Sequence, residues 1–329
     1  MLRHNRAPIL AARRKAVCVE LNARTMPQAT REIKRRIKSV SNTRKITKAM
    51  EMVAAAKMRR AVAKVLATRS YADLAWQTVI HLAKKVDTRH HPFFRERPEI
   101  KNVALVLIST NRGLCGSFNI NLVRQVTESI KIHHPQLKTT NIISYGVRGR
   151  DEARRRHLNL IADFHKEDIT DDSTIIRPIA QLVAKDYIEG RCDKVFVAFT
   201  DFISALEQRP HVKQLLPIVP KIDERLGHII HEKDLAADIN VENFSEFIFE
   251  PDTKTVLDAF LPRLVEVQIY QAVLESEASE HSARMMAMRN ASDAADEMIG
   301  DLTLAFNKAR QAGITAELAD ITGGRAALE

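Results

Sequence analysis

The residues best suited to chemistry lie in one short segment, residues 109–117, which directly follows an apolar run. Cys115 and Ser117 are candidate nucleophiles there, and two glycines could let backbone N–H groups approach a phosphate. The segment contains neither the P-loop pattern nor G-x-G-x-x-G, and no G-x-S-x-G elbow surrounds Ser117. A tight turn of small residues beside a buried thiol is therefore favoured over a nucleotide site or a catalytic centre.

Three other motifs could bind ions. His228 and His231 are three residues apart with Glu232 adjacent, but no third metal ligand follows at a useful spacing. The G-x-x-G at residues 146–149 matches a nucleic-acid clamp only in length, and a strand-to-helix turn explains it better. The arginine triplet at residues 154–156 is typical of a solvated face. We expect no cofactor and no metal.

Positive charge is concentrated near the N-terminus. Residues 1–25 have six basic side chains and one acid, and residues 27–85 have fifteen basic side chains and three acids. The total is only +10, so the rest of the chain is acidic. Charge of this density could neutralise DNA phosphates or face an acidic protein. The basic residues between 31 and 60 are Arg31, Lys34, Arg35, Arg36, Lys38, Arg44, Lys45, Lys48, Lys57, Arg59 and Arg60.

Composition excludes several classes of protein. The chain has 329 residues, of which 45% are hydrophobic, enough for a sizeable core and about two domains. No run of about 18 apolar residues occurs, so a membrane-spanning helix is not expected. The three cysteines lie far apart, which argues against a disulfide framework or a zinc ribbon.

Two long helices are predicted to position these groups. No Gly or Pro occurs between Pro27 and Pro92, and apolar residues recur there at steps of three and four. A second stripe follows Pro251 and Asp252, which together resemble a helix start. Two long apolar stripes would bury each other as an antiparallel coiled coil. Two ordinary helix hairpins are the alternative.

The middle of the chain predicts a doubly wound, mostly parallel α/β domain of the Rossmann-like kind. Continuous apolar runs at residues 103–108, 142–143 and 195–199 suggest strands buried on both faces. Helical stretches at 121–131, 151–157 and 175–189 alternate with them. The predicted division is 1–25, a basic and disordered extension; 26–90, the N-terminal helix; 91–250, the α/β domain; and 251–329, the C-terminal helix.

Specific strings resemble one family, the γ subunit of F-type ATP synthases, over residues 27 to 328. Residues 37–60 resemble that family's N-terminal helix, and R-G-L-C-G-S-F-N from Arg112 resembles its first strand-to-helix turn. E-S-E-A-S-E-H-S-A-R-M from Glu275 is similar to its C-terminal helix. The ending N-K-A-R-Q-A-G-I-T-A-E-L-A-D-I-T-G-G from Asn307 is similar to the family's signature.

The resemblance implies a rotor subunit rather than an enzyme. The coiled coil would stand inside a ring of α and β subunits, and the α/β foot would bind ε and the c ring. Catalytic sites would lie on β, and coupling would come from different contacts with each conformational state of β. The protein would be peripheral at the cytoplasmic face of the bacterial inner membrane, attached through the c ring and without nucleic acid; a mitochondrial inner membrane is the second choice. Basic nucleic-acid-binding coiled coil and α/β enzyme remain the alternative classes.

Residue by residue, the resemblance implies three contact sets. Contact with β is implied for Met50, Arg284, Gln311 and Thr315. The foot segment facing the c ring would contain Phe247, Ile248, Phe249 and Glu250. An acidic β loop would face a basic side of the helix formed by Lys45, Lys48, Lys57 and Arg59.

Three features depart from the family pattern or lie outside it. Gly313 interrupts a helical run, at a cost of about 1 kcal/mol relative to Ala. Arg325 follows Gly323 and Gly324, where the family usually has a small residue. Residues 1–25 precede Met26, where family members commonly begin; an upstream start or a bacterial extension is favoured over a mitochondrial transit peptide.

Overall fold

A computed structural model describes residues 26–85, 91–133, 139–167, 170, 172–219 and 252–326. The chain divides into two compact units. The smaller unit is Met1–Met50 with Met288–Glu329, and the larger unit is Glu51–Ala287. The predicted extension at 1–25, the histidines at 228 and 231 with Glu232, and the foot segment Phe247, Ile248, Phe249 and Glu250 lie outside the described residues.

Two long helices are present, as the uninterrupted stripes predicted. Helix α1 spans Met26–Lys85, and helix α5 spans Thr253–Ala326. Helix α5 continues through Pro262, which lies near its N-terminal end. Asp252 caps α5, because its carboxylate accepts hydrogen bonds from the Thr255 backbone N–H at 2.9 Å and from the Thr255 hydroxyl at 2.7 Å. Because each of the two helices is continuous over its whole length, the alternative of two ordinary helix hairpins is wrong.

In the smaller unit, the two helices pair in opposite directions. The hydroxyls of Thr47 and Ser292 lie 2.7 Å apart, and one turn further Arg44 forms an ion pair with Asp296. Residue numbers therefore decrease along α1 as they increase along α5, so the two helices are antiparallel. Met288 and Ala295 are buried, one helical repeat apart on α5.

The larger unit is built on a five-stranded sheet. Its strands are β1 Asn102–Ile108, β2 Thr139–Tyr145, β3 Asn159–Phe164, β4 Lys194–Phe202 and β5 Gln208–Leu216. The spatial order is β3-β2-β1-β4-β5, and every pair is parallel except β4 with β5. This is the mostly parallel, doubly wound sheet that the apolar runs predicted.

Helices cover both faces of this sheet. They are α2 Phe118–His133, α3 Val147–Arg155 and α4 Arg177–Ile188, with short 3₁₀ turns at Pro92–Phe94 and Ser173–Ile175. Alternate residues of β1 enter different cores: Val106 packs with residues of α4 and α5, while Leu105 packs with residues of α2. The predicted helix at 151–157 begins earlier in the structure and ends at Arg155, because His157 adopts a left-handed φ of 55°.

The middle of α5 is buried on all sides. Residues 264–282 are buried at every position except Tyr270, which is half-buried. One side meets α1 and the sheet in a cluster that includes Ala61, Val65, Phe202 and Leu274. Because no side of this stretch faces water, its four glutamates, at positions 266, 275, 277 and 280, are removed from water and need partners inside the protein.

Candidate functional site

Residues 109–117 lie at the carboxyl end of β1, where the strand order reverses. This is the position at which doubly wound sheets hold their ligands. The loop is closed on itself: Thr110 donates through its hydroxyl to the Arg112 carbonyl at 2.7 Å, and its backbone N–H donates to the Asn119 side chain at 3.2 Å. Leu114 and Gly116 have left-handed φ values of 66° and 60°. The segment is a tight turn.

The two candidate nucleophiles are not activated. Cys115 is buried, and burial raises the pKa of its thiol, which disfavours the reactive thiolate. The Ser117 hydroxyl is 3.0 Å from the Asn121 amide, which donates to it, so its described partner is an amide rather than a base. In the described part of the chain, no three His, Cys, Asp or Glu side chains are grouped as a metal site would require.

At the G-x-x-G of residues 146–149, the backbone passes very close to Ser109. Gly146 has a φ of 116°, and Ser109 lies directly against both glycines. The Ser109 hydroxyl accepts from the Gly149 N–H at 2.7 Å and donates to the Gly146 carbonyl at 3.1 Å. The motif joins the end of β2 to the start of α3, as a strand-to-helix turn would.

Helix α5 lies against the carboxyl ends of the strands. The Ser282 hydroxyl donates to the Ala205 carbonyl at 2.6 Å, in the loop that follows β4. Two residues further along α5, the Arg284 guanidinium donates to the Gly113 carbonyl at 3.4 Å, in the loop that follows β1. The chain's own helix therefore contacts both loops that flank the ligand crevice of such a sheet.

A buried ionic cluster completes this contact. The Lys166 ammonium lies 2.7 Å from one carboxylate oxygen of Glu280, and the Arg284 guanidinium lies 2.7 Å from the other. Glu277 accepts hydrogen bonds from the Thr170 backbone N–H at 3.1 and 3.2 Å and from the Thr170 hydroxyl. We refer to Lys166, Thr170, Glu277, Glu280 and Arg284 as the ionic clamp.

Charges in the ionic clamp stabilise one another. Burial would lower the pKa of Lys166, but the carboxylates of Glu280 and Glu277 outweigh it and raise that pKa. Burial would raise the pKa of Glu280, yet Lys166 and Arg284 hold it below its usual range. Burial raises the pKa of Glu277 despite the opposing effect of Lys166. Lys166 and Glu280 are therefore an ion pair at neutral pH.

Glu275 is another buried carboxyl on α5, and it lies outside the ionic clamp. Its Oε1 accepts a hydrogen bond from the Gln271 amide at 3.1 Å, and its Oε2 has no partner among the described residues. Burial raises the pKa of Glu275 well above its ordinary value of 4.5, and the nearby Asp201 carboxylate raises it further, while Arg69 opposes the rise. The folded chain therefore favours the protonated form of Glu275.

Substitution of Glu275 by Gln should change the pH dependence of stability. A carboxyl with a higher pKa in the folded chain binds its proton more tightly there, so the wild type loses stability as pH rises above 4.5 through the folded pKa. We expect Glu275→Gln to unfold in urea like the wild type near pH 4.5 and to be the more stable protein at pH 8. A difference that did not change with pH would contradict this assignment, and Glu207→Gln, an exposed glutamate, is the control.

The residues implied to contact β lie in different surroundings. Gln311 and Thr315 are exposed, one helical turn apart on α5, and Met50 is half-buried on α1, all in the smaller unit. Arg284 belongs to the larger unit, and its side chain is only 12% exposed within the ionic clamp. Of the predicted basic side, Lys45, Lys48 and Arg59 are exposed and Lys57 is half-buried.

The smaller unit also exposes large apolar side chains. Ile46, Leu304 and Ile321 are 61%, 71% and 69% exposed, and Met298, Ile314 and Leu318 are exposed with them. Exposed apolar residues in this number are typical of a surface that a partner protein covers. No helix in the described ranges is long and apolar enough to cross a membrane.

Comparison with known proteins gives one family. The family model described as ATP synthase matches residues 29–328. The ATP synthase gamma chain of Roseiflexus castenholzii is 44% identical over 301 residues, covering 91% of this chain and 98% of that protein. The gamma chains of Chloroflexus aurantiacus and Legionella pneumophila are 41% and 38% identical, each over 91% of this chain and 99% of the relative.

Solved structures share the fold. A chain from the mitochondrial ATP synthase of Euglena gracilis, in a structure of the OSCP, F1 and c ring, aligns with a TM-score of 0.62 at 20% identity, over 92% of this chain and 95% of that one. A chain from the central stalk and c ring of the Tetrahymena thermophila enzyme aligns with a TM-score of 0.55 at 24% identity, over 75% and 99%. These relatives favour the rotor interpretation over nucleic-acid binding.

Proposed function

The chain belongs to the ATP synthase gamma chain family, and we propose that it is the central shaft of the rotor in a proton-translocating F-type ATP synthase. In this role it couples rotation of the c ring to the conformational cycle of the catalytic β subunits. The chain itself performs no bond chemistry; it biases each β subunit through contacts that differ with its angular position.

One observation supports the proposal above all others. Helices α1 and α5 run unbroken through 60 and 74 residues, and the smaller unit that their ends form exposes a series of large apolar side chains. A monomeric protein rarely leaves so much apolar surface in water. A surrounding ring of subunits would cover this surface without holding the shaft at one rotational angle.

The partners follow from the family. We propose that the α and β subunits surround the smaller unit, and that ε and the c ring bind the α/β domain. The catalytic sites would lie on β. The chain would be peripheral at the cytoplasmic face of the bacterial inner membrane, held there through the c ring. The proposal keeps the division of the chain into an extension at 1–25, an N-terminal helix at 26–90, an α/β domain at 91–250 and a C-terminal helix at 251–329.

The proposed contact residues belong to three sets. Met50, Gln311 and Thr315 would contact β, because a half-buried methionine and two polar side chains on α5 suit a surface that repacks. Contact of Arg284 with β would require its guanidinium to leave Glu280. The predicted basic side would face an acidic β loop; it consists of Lys45, Lys48, Lys57 and Arg59. The c-ring contacts would be Phe247, Phe249 and Glu250, which stay a prediction.

Co-expression with the cognate α and β subunits tests the proposal. We expect a tag on this chain to purify an α–β–γ complex with ATPase activity. The double variant Gln311→Ala/Thr315→Ala should lower turnover about tenfold, equivalent to about 1.4 kcal/mol of lost coupling.

The control is Gln181→Ala, an exposed glutamine on α4 in the larger unit, which should leave turnover unchanged. Purification of the chain without α and β, together with nucleic acid that dissociates steeply with salt, would contradict the proposal. An ATPase activity of the isolated chain would contradict it as well.

A further inference from the structure

We propose that the ionic clamp is the joint that makes the α/β domain and helix α5 turn together, so that torque enters α5 at Glu277, Glu280 and Arg284. This inference rests on the proposed rotor function and identifies the residues through which force would pass. It also assigns Arg284 a positioning role within the chain.

The first support is where the clamp lies. Three separate parts of the α/β domain meet α5 there: Gly113 after β1, Lys166 after β3 and Ala205 after β4. All three follow the carboxyl ends of parallel strands, so they lie at the same edge of the sheet, and the loops after β1 and β4 flank the point where strand order reverses. Contacts spread over three loops resist rotation of the helix better than contacts along one line would.

The second support is the chemistry of the contacts. An apolar interface holds helices together but allows small slides, because its attraction has no direction. The clamp is directional: Glu280 bridges Lys166 of the domain and Arg284 of its own helix, and Arg284 in turn reaches the Gly113 carbonyl. Separating a buried charge from its partner is strongly unfavourable, so the clamp confines the helix to one rotational position relative to the domain.

The third support is that stability alone does not explain the cluster. Replacing a buried ion pair by apolar residues of similar volume is often neutral or stabilising. Lys166 and Glu280 have side chains that are 2% and 9% exposed. On the same stretch of α5, Leu274 and Ala278 are buried in an apolar cluster, so apolar packing is available to this helix. Ionic side chains at this place fit the task of fixing an orientation.

The test uses the complete complex of F1 and the membrane sector in inverted vesicles. Arg284→Met removes the link to Gly113 yet leaves Glu280 paired with Lys166, so folding is preserved. Thr170→Val independently removes the hydroxyl that donates to Glu277. We measure ATP hydrolysis, and proton pumping against an increasing proton gradient. Each variant should pump about twofold fewer protons per ATP against the highest gradient, since a weakened joint yields under load.

Several outcomes separate the possibilities. Arg209→Met, the same substitution at an exposed site in the larger unit, should match the wild type. A purely structural role would lower the yield of complex and leave the pumping ratio unchanged, which would overturn the inference. Reduced ATPase activity of F1 alone in Arg284→Met would also overturn it and would favour contact with β. A wild-type complex that failed to pump would instead refute the rotor function itself.

Discussion

Replacing Glu280 by alanine should lower the free energy of unfolding of the chain by about 3–5 kcal/mol. The substitution removes the carboxylate that lies 2.7 Å from the Lys166 ammonium and 2.7 Å from the Arg284 guanidinium. Lys166 would stay buried with only the more distant charge of Glu277 to stabilise it. Urea unfolding of the full-length chain, followed by circular dichroism, measures the loss.

Two further variants make this result specific. Glu189→Ala removes an exposed glutamate whose partners Lys185 and Arg191 lie 3.8 and 2.7 Å away. Because these ion pairs are exposed to solvent, the substitution should change stability by no more than about 1 kcal/mol. Lys166→Met/Glu280→Leu should be more stable than Glu280→Ala, because no lysine is left buried without its partner. If Glu280→Ala cost less than Glu189→Ala, Glu280 would not hold the charge of Lys166 in solution.

Substitution of Gly146 by alanine should prevent stable folding, with a loss of at least about 3 kcal/mol. The residue has φ 116° and ψ 144°, a region that side-chain-bearing residues rarely occupy. A Cβ there would lie 2.6 Å from the Ser109 carbonyl oxygen and 2.7 Å from its hydroxyl. Backbone cannot move aside as a flexible side chain can. Soluble yield and the urea midpoint give the measurement.

The matched control is Gly300→Ala on helix α5, where an added Cβ meets no heavy atom within 4 Å. That change should stabilise the helix by up to about 1 kcal/mol. Equal stability of Gly146→Ala and the wild type would show that the turn after β2 relaxes, and the close crossing at Ser109 would then not be essential.

Sequence reasoning predicted the elements whose signals are local. The absence of Gly and Pro between Pro27 and Pro92 predicted α1, and the Pro251–Asp252 start predicted α5 within two residues. β1 and β4 were predictable because strands buried on both faces form continuous apolar runs. These patterns need no information about distant parts of the chain.

Elements defined by their neighbours were missed. β3 lies at the sheet edge and alternates between exposed and half-buried residues, so Asn159–Phe164 contains no apolar run. β5 pairs antiparallel with β4 and contains Pro210 and His211. Both are strands because a partner strand offers hydrogen bonds, which local sequence does not reveal.

The ionic clamp was missed for the same reason. Glu277 and Glu280 are indistinguishable in sequence from solvated helix glutamates, and Lys166 lies in a polar segment after β3. One signal was available: an amphipathic helix has one polar side, whereas glutamates at 275, 277 and 280 point in different directions around α5. Burial of these glutamates depends on how α1 and the sheet pack against this stretch of α5, which local sequence does not reveal.

Direct observation of rotation tests the central claim most directly. A bead attached to Leu206→Cys, an exposed loop position in the larger unit, would report on this chain while the α and β subunits are fixed to a surface, with Cys18 replaced by serine. Cys115 and Cys192 are buried and should not react. The proposed function predicts sustained rotation in one direction when ATP is added. ATP hydrolysis with a stationary bead, or with motion that has no preferred direction, would contradict it.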